Sequence, residues 1–298
     1  MDREFIALNA MNTTVSLKNG EDLNDIFCVI VLYKTDLPHS ASFNSVLKAV
    51  ENADGTLHIL LYNNFPEIHL DTTLYARDNI HVSVINDDAN SGVSKAYNEA
   101  NAMASSRRRK WLLLLDQDTA LPENFFAVFF SERKQAAKDY KLYIPVIRDG
   151  NKIISPAKYF LYRGFIRKEV KKGEAQLRDQ AIINSGVIVD NDLFKQAGGF
   201  NENVNLDFSD VSFFRRLRKI YSIVFVLDVI CSHSFSGLEY DSYEKNFTRF
   251  KIYNANAIAF SKEKGVNKPL LFLTVLVRVA NLSLKFKTLS FLRSLKFS

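Results

Sequence analysis

Four strand-like apolar runs in the first 118 residues, separated by helical patterns, constrain the fold of this chain more than any other feature. The runs are 26–33, 57–62, 80–85 and 110–115. The first run is apolar and β-branched, which is typical of a strand covered on both faces of a parallel sheet. Helical patterns at 37–50 and 91–105 separate the runs. This alternation predicts a doubly wound α/β sheet with right-handed crossovers.

Each of these runs ends in polar residues or is followed directly by them. They are Tyr33-Lys34, Asn63-Asn64, Asn86-Asp87 and Asp116-Gln117-Asp118. Because sheets of this kind bind ligands beyond the carboxyl ends of their strands, we expect these side chains to converge on one site.

The second half of the chain has a different pattern, which indicates a mixed sheet. The predicted elements are strands at 141–147, 182–189 and 223–230 and helices at 209–220 and 243–260. The polar, basic stretch 148–178 has weak periodicity and is long enough to form a mobile lid over a site.

Composition and length indicate an ordinary globular protein. Of 298 residues, 47% are hydrophobic and 24% are charged, which excludes the disordered and fibrous classes. Cys28 and Cys231 lie in apolar stretches, so we expect buried thiols in a reducing compartment, and neither a disulfide framework nor a metal cluster. The start, Met1 to Glu4, lacks the pattern of a signal peptide, so the predicted location is cytoplasmic.

Positive charge is concentrated at the C-terminus. Residues 264–298 contain no acidic residue and seven basic ones: Lys264, Lys268, Arg278, Lys285, Lys287, Arg293 and Lys296. With its interleaved leucines and phenylalanines, this tail has the composition of an interfacial helix on anionic lipid, at the inner face of the plasma membrane. A helix packed on the domain with a solvated basic face is the alternative. Arg278 interrupts the longest apolar run, so no membrane crossing is expected.

A nucleic-acid partner is not expected, although the formal net charge is +6. The basic run from Arg107 to Lys110 precedes a buried strand and is predicted to be a solvated turn. No aromatic stacking platform or known binding motif accompanies it.

Asp116 and Asp118 end a four-leucine strand, where the alternation of side chains points both carboxylates the same way. Two nearby carboxylates repel one another unless a cation joins them. Mg²⁺ and Mn²⁺ are typically held by one or two carboxylates and the phosphates of a substrate, so the pair predicts a metal–diphosphate site. In the second Asp-x-Asp pattern, Asp192 is interpreted as the N-cap of a helix at 193–197.

The segment from Asn90 to Asn98 opens the helix that precedes the fourth strand. Its small residues, Gly92 among them, leave backbone N–H groups free for phosphate or sugar oxygens. A plain capped helix, packed closely on the sheet, is the alternative.

Together these motifs resemble the family 2 glycosyltransferases of the GT-A fold, and most closely their rhamnosyltransferase-like branch, over residues 26–260. In that family a Tyr after the first strand meets the nucleotide base, a polar pair follows the second strand, and Asn-x-Gly and Asp-Gln-Asp motifs come next. The matching residues are Tyr33, Asn63, Asn64, Asn90, Gly92, Asn98, Asp116, Gln117 and Asp118.

The second half carries further matches in the same order. Asn184-Ser185-Gly186 resembles an acceptor-side turn, and 198–202 resembles a Gly-Gly-Phe-Asp-Glu motif. The segment from Leu206 resembles one that ends in the catalytic base, here Asp210. The remaining matches are Asp207 and Arg216 for substrate and His233, with Gly237, for the metal.

The resemblance implies an inverting transfer of a sugar from a nucleotide-diphosphate donor. It implies Asp210 as general base and Mg²⁺ or Mn²⁺ held by Asp118, Asp116 and His233. The branch implies dTDP-L-rhamnose as donor and a glycan or lipid-linked glycan of a bacterial surface polysaccharide as acceptor. A hexosyltransferase that uses UDP-galactose or UDP-glucose, and a non-catalytic nucleotide-sugar-binding protein, are the alternatives.

The resemblance also implies the organisation of the chain. A polar leader, 1–25, precedes a GT-A catalytic domain, 26–240, and a helical C-terminal region, 241–298. Residues 26–118 of the domain bind the nucleotide sugar, and residues 119–240 bind the acceptor.

Three positions depart from the family pattern. Asn63 stands where Asp is common, and Ser212 replaces an acidic residue two places after the base. His233 and Gly237 are one residue farther apart than usual.

Overall fold

The computed structural model describes residues 22–233 and 242–296, so Gly237 and most of the predicted leader lie outside the described residues. The described residues form twelve strands: β1 Ile26–Leu32, β2 Leu57–Asn63, β3 Ile80–Asn86, β4 Trp111–Asp116, β5 Thr119–Ala120, β6 Leu142–Asp149, β7 Lys152–Phe160, β8 Arg163–Arg167, β9 Gly173–Gln176, β10 Gln180–Ala181, β11 Val187–Asp190 and β12 Ile223–His233. They also form eight α-helices: α1 Ala41–Ala49, α2 Val93–Ser106, α3 Phe125–Gln135, α4 Asn191–Gln196, α5 Ser209–Leu217, α6 Tyr243–Ser261, α7 Lys268–Phe286 and α8 Ser290–Arg293.

One mixed sheet runs through the molecule, as the sequence predicts. Its main path is β10-β7-β6-β11-β4-β1-β2-β3. The strands β4, β1, β2 and β3 are parallel to one another, and β11 joins them antiparallel to β4. In the second half, β12 runs parallel to β6 and antiparallel to β5 and β9. The doubly wound first half and the mixed second half are therefore both confirmed.

Alternate residues of β1 face two separate cores, which explains its uninterrupted apolar sequence. Ile26, Cys28, Ile30 and Leu32 join one hydrophobic cluster, and Phe27, Val29 and Val31 join the other. Residues of α1 and α3 belong to the first cluster, and residues of α2, α4 and α5 belong to the second. Cys28 and Cys231 are both buried and form no disulfide, as expected.

The stretch 148–178, which the sequence predicts to form a mobile lid over a site, is built largely of strands, and its weak periodicity does not indicate them. β7 and β8 form an antiparallel hairpin in which Tyr159 pairs with Gly164, and β9 pairs with β12. Most residues of β8 are exposed, so burial imposes no alternation of apolar and polar residues there. The periodicity that would reveal the strand in the sequence is therefore missing.

Two predicted boundaries also differ from the structure. The run 182–189 joins the sheet here only as β11, because a turn at 184–186 precedes it. The N-cap of α4 is Asp190 and not Asp192, since the Asp190 carboxylate accepts a hydrogen bond from the Leu193 N–H at 2.9 Å. Asp192 lies in the first turn, where a negative charge favours the helix dipole.

The three C-terminal helices form a third hydrophobic cluster with the segment that precedes α5. Phe250, Phe260, Leu271 and Val275 pack there with Phe208. The predicted helical tail is thus present, and one of its faces packs on the domain. Among the described residues, α7 is one helix that is long and apolar enough to span a membrane, with 22% of its apolar window buried.

Candidate active site

The register of the parallel strands brings the predicted polar ends to one edge of the sheet. Asp116 pairs with Val31, Asn63 pairs with Leu32, and Asn86 pairs with Asn63. This is the edge at which doubly wound sheets bind ligands.

Asp116 is fixed from both halves of the chain. The buried hydroxyl of Tyr97 donates a hydrogen bond to its Oδ1 at 2.7 Å, and its own N–H donates to Ser185 Oγ at 2.9 Å. Ser185 is fully buried. Gly186 follows at φ +80°, and a Cβ there would lie 2.7 Å from Pro145 Cγ. Ser185 and Gly186 therefore support Asp116 from within the protein.

Asp118 lies beside His233 and has an oxygen without a hydrogen bond. Its Oδ1 is buried, has no hydrogen-bond partner among the described residues and lies 3.4 Å from His233 Nδ1. That nitrogen is 2.7 Å from Thr119 Oγ1, which orients the ring. Burial raises the pKa of Asp118 and of Asp116, and the charge of Asp118 raises the pKa of Asp116 further.

These groups fit a divalent cation that is shared with a diphosphate. The described residues contain no cluster of three or more His, Cys, Asp or Glu side chains arranged to hold a metal. Sites that also use substrate phosphates need only one or two carboxylates, which Asp116 and Asp118 supply. A cation at this point would give the Asp118 oxygen that lacks a hydrogen bond a ligand interaction and would relieve the repulsion between the two carboxylates.

Asp210 lies in the first turn of α5 and carries a perturbed carboxyl group. Burial is the largest cause that raises its pKa to about 6, and the charges of Asp207 and Asp116 add to it. A hydrogen bond of 2.7 Å from the Val211 N–H opposes the rise. A carboxyl group that titrates near neutral pH suits a general base.

The carboxylate of Asp207, which the sequence predicts to bind substrate, is paired with an arginine of the protein. The guanidinium of Arg249, from α6, binds its carboxylate with two hydrogen bonds: Nη2 donates to Oδ1 at 2.9 Å, and Nη1 donates to Oδ2. Both side chains are largely buried. This bidentate pair joins the segment that carries Asp210 to the C-terminal helices.

An exposed aromatic pair lies at the end of β1. Tyr33 is 44% exposed, and its ring meets that of Phe65 edge to face at 5.8 Å between ring centres. Lys34 Nζ lies 5.3 Å from the Tyr33 ring and 5.2 Å from the Phe65 ring. The Tyr33 N–H donates to Gln117 Oε1 at 2.7 Å, which links the pair to the aspartates. Lys34 is one of the strand-end residues that the sequence predicts here, whereas sequence reasoning missed Phe65, whose position two residues after the end of β2 was the available signal.

Asn63 shapes the loop that presents Phe65. Its Nδ2 donates to the Ile68 carbonyl at 3.1 Å and to Asn86 Oδ1 at 2.9 Å. Its Oδ1 accepts from the Phe65 N–H at 3.0 Å. Since both amide protons of this buried side chain are used, the structure does not turn it toward a ligand.

The N-terminus of α2 has its first backbone donors occupied, so the closely packed capped helix is the arrangement observed. Gly92 N–H donates to Asn64 Oδ1 at 3.2 Å, and Val93 N–H donates to the Asn205 carbonyl at 3.0 Å. A Cβ at Gly92 would lie 2.4 Å from that carbonyl oxygen. Asn90, which is exposed at φ +49°, is the residue of this motif that faces solvent.

Asn98 and Arg216 hold a single turn that follows α4. Asn98 Nδ2 donates to the Phe200 carbonyl at 3.0 Å, and its Oδ1 accepts from the Phe200 N–H at 2.7 Å. Arg216 Nη1 donates to the carbonyls of Ala197 at 2.9 Å and Gly198 at 3.2 Å. Two motifs that are distant in the sequence therefore meet as structural partners.

Glu263 supplies a carboxylate near Ser212, where the family pattern has an acidic residue. It accepts hydrogen bonds from Ser212 Oγ, from Asn201 Nδ2 at 2.8 Å and from Arg215 Nη2 at 2.9 Å. Burial raises the pKa of Glu263, but these hydrogen bonds outweigh it and lower the pKa overall. No local pattern reveals this contact, because the two residues lie 51 positions apart.

A cavity of about 290 Å³ opens beside Asp210. Its walls are mainly apolar and come from β7, β8, β10 and α5, with Asp210 and Arg218 as its charged lining residues. The Arg218 guanidinium lies 4.1 Å from the centre of the Tyr159 ring. Asp210 lines this cavity and also lies close enough to Asp116 for the two charges to interact, so it links the cavity to the strand-end residues.

Solved structures identify the fold. S. aureus TarS 1–349 in complex with UDP-GlcNAc matches with a TM-score of 0.52 and 14% identity, over 86% of this chain and 72% of that chain. TarS 1–349 without a named ligand matches with a TM-score of 0.48 and 15% identity, over 82% and 69% of the two chains. A longer TarS structure gives 0.49 and 14% identity, and the match covers 85% of this chain and 43% of that one.

The fold is that of the GT-A glycosyltransferases, with a C-terminal helical region added. No protein-family model matches the sequence, and no curated protein matches it either. At 14% identity the likeness to TarS establishes the fold alone.

Proposed function

We propose that this protein is an inverting glycosyltransferase that uses a nucleotide-diphosphate sugar. The observation that carries the proposal is the position of Asp210. A carboxyl group with a pKa of about 6 lines a cavity that could receive a second substrate, and the charge of Asp116, one of the carboxylate pair suited to a diphosphate-bound cation, acts on it. The complex of TarS with UDP-GlcNAc, which shares the fold, supports a donor of this class.

In the proposed reaction the donor lies along the carboxyl ends of β1, β2 and β4. The exposed ring of Tyr33, backed by Phe65, receives the nucleotide base, and Lys34 adds a positive charge beside it. The diphosphate reaches Asp116 and Asp118. When bound, Mg²⁺ or Mn²⁺ would be held by these two carboxylates, with His233 beside them, and would supply neutralisation of the charge on the leaving diphosphate.

Asp210 takes the proton from an acceptor hydroxyl. The acceptor oxygen then forms a bond with the anomeric carbon from the face opposite the diphosphate, the bond from that carbon to the diphosphate breaks, and the nucleoside diphosphate leaves. General-base help of this kind contributes roughly 10²–10⁴-fold in rate. The buried Tyr97 hydroxyl keeps Asp116 oriented toward the diphosphate throughout.

The cavity beside Asp210 is the proposed entrance for the acceptor. Its apolar walls offer few partners for the hydroxyls of a fully oxygenated hexose, and a buried polar group without a partner is costly. An acceptor that presents a deoxy or N-acetyl sugar, or the glycan end of a lipid-linked molecule, suits these walls better. L-Rhamnose from dTDP-L-rhamnose remains the proposed transferred sugar, with UDP-sugars as the alternative donors.

A donor screen tests the proposal. Purified protein is incubated with dTDP-, UDP- and GDP-sugars and Mg²⁺, Mn²⁺ or EDTA, and binding and slow donor hydrolysis are measured. We expect one donor to bind with metal and not with EDTA, and Asp118→Ala to lose that binding. Asp192→Ala, in the second Asp-x-Asp pattern, is the matched control and should bind as wild type does. A failure of every donor to bind would contradict the proposal.

A further inference from the structure

The outward face of α7 is an apolar stripe. Leu273, Val277 and Leu284 are exposed, and Leu284 is exposed to 77%. Ala280 is also exposed and lies between Val277 and Leu284, so the four residues are spaced three or four positions apart and share one side of the helix. The inward side of α7 is also apolar, with Leu271, Val275 and Val279 buried. α7 therefore has a second apolar face that no described residue covers.

Arg278 does not interrupt this stripe, although it interrupts the apolar run in the sequence. Its guanidinium lies 4.4 Å from the centre of the Tyr253 ring on α6. Burial lowers the pKa of Arg278, while the charge of Asp207 opposes that change. The charge is thus directed into the protein and away from the exposed face.

Basic residues flank the stripe. Lys268, Lys285, Lys287, Arg293 and Lys296 are exposed. Two more exposed leucines, Leu289 and Leu292, extend the apolar surface beyond the end of α7. An apolar face bordered by cations, with no acidic residue from 264 to 298, is complementary to a bilayer with anionic headgroups.

We propose that the stripe of α7, with Leu289 and Leu292, lies in the surface of an anionic membrane while the flanking lysines and arginines contact lipid phosphates. The same helix is bonded to the hairpin that walls the cavity: Thr274 Oγ1 donates to the Leu161 carbonyl at 2.9 Å, and the Asn267 N–H donates to Tyr162 Oη at 2.8 Å. If the proposed function holds, this link sets the acceptor cavity next to the lipid surface.

Charge distinguishes a membrane from a second copy of the chain. In a two-fold dimer the same surface meets itself, so the cations of one copy would face those of the other and repel them. Anionic headgroups instead attract every basic residue on the rim.

Sedimentation with vesicles tests the proposal, using the full chain and no sugar donor, so the result does not depend on the proposed transfer. We expect binding to vesicles of phosphatidylcholine with phosphatidylglycerol, weak binding to phosphatidylcholine alone, and loss of binding at high salt. Leu273→Gln/Leu284→Gln should weaken binding about tenfold or more, because Gln keeps helix propensity and removes apolar surface. Each lysine neutralised by Lys285→Gln or Lys287→Gln should weaken it about fivefold.

Ile220→Gln/Ile230→Gln removes two exposed isoleucines from another surface and is the matched control. It should bind vesicles as wild type does. Equal binding by the α7 variant and this control would overturn the proposal, as would no binding to anionic vesicles. A dimer in solution that the α7 variant dissociates, without vesicle binding, would assign the face to a second copy. Retention of the chain in membranes after alkaline carbonate extraction would show a spanning helix and also overturn it.

Discussion

Lowering the pH from 8 to 5 should reveal Asp210 as the general base. With a pKa of about 6, roughly a tenth of this carboxyl group is ionised at pH 5 and nearly all of it at pH 8. If its pKa were about 3.9, the ordinary value for an aspartate, more than nine tenths of the carboxyl group would be ionised at both pH 5 and pH 8. The two cases therefore differ about tenfold in the amount of active base at pH 5.

The wild-type rate alone does not isolate this group. The pKa values of Asp116 and Asp118 are also raised, so donor binding weakens over the same range. Asp210→Asn keeps both of these carboxylates and loses the base, and it should turn over roughly 10²–10⁴-fold more slowly. The ratio of kcat/KM for wild type to that for Asp210→Asn should then fall about tenfold from pH 8 to pH 5.

The assay is the initial rate of sugar transfer, or of donor hydrolysis, at fixed metal concentration across this pH range. A ratio that stays constant from pH 8 to pH 5 would refute the assignment of the base. Thermal unfolding gives a second check. The pKa of Asp210 is higher in the folded than in the unfolded protein, so its ionisation lowers the free energy of unfolding as the pH rises from about 4 through 6. Asp210→Asn should not show this loss of stability.

Three substitutions test the supports of the site. Gly92→Ala should lower the free energy of unfolding by about 3 kcal/mol in urea titration, since its Cβ would press on the Asn205 carbonyl at a backbone conformation that favours glycine; unchanged stability would contradict this. Tyr97→Phe removes the hydrogen bond to Asp116 and should lower the free energy of unfolding by about 2 kcal/mol, which calorimetry at pH 8 measures. Asn98→Ala should lower the free energy of unfolding by about 2 kcal/mol and leave the affinity for the donor unchanged in titration calorimetry. A loss of donor affinity without a loss of stability would instead show that Asn98 binds the substrate.

The sequence is a good guide where burial imposes a pattern. β1, β2 and β4 are predicted almost to the residue, because strands buried on both faces have uninterrupted apolar sequences. β8 is missed because most of its residues are exposed and nothing constrains their alternation. For the same reason the sequence does not predict the hairpin that walls the cavity.

For the candidate site, the sequence locates the strand ends but not which side chains are free to act. Asp116 and Asp118 lie close enough for their charges to interact, whereas the side chains of Asn63 and Asn98 form hydrogen bonds within the protein. Residue type and spacing carry no information on that difference, because an amide suits a ligand and a backbone equally well. The contact of Glu263 with Ser212 depends on how α6 docks, which local pattern does not encode.

The bridge between Asp207 and Arg249 connects the C-terminal helices to the segment that carries the proposed general base. The predicted domain boundary at residue 240 falls between its two partners. Since the charge of Asp207 helps to set the proton affinity of Asp210, a residue of α6 acts on the base from beyond that boundary. Exchanging residues 241–298 for the corresponding part of a relative is therefore expected to alter the acid limb of the pH profile of the proposed transfer, and a domain trimmed at residue 240 would leave a largely buried carboxylate without its counter-ion.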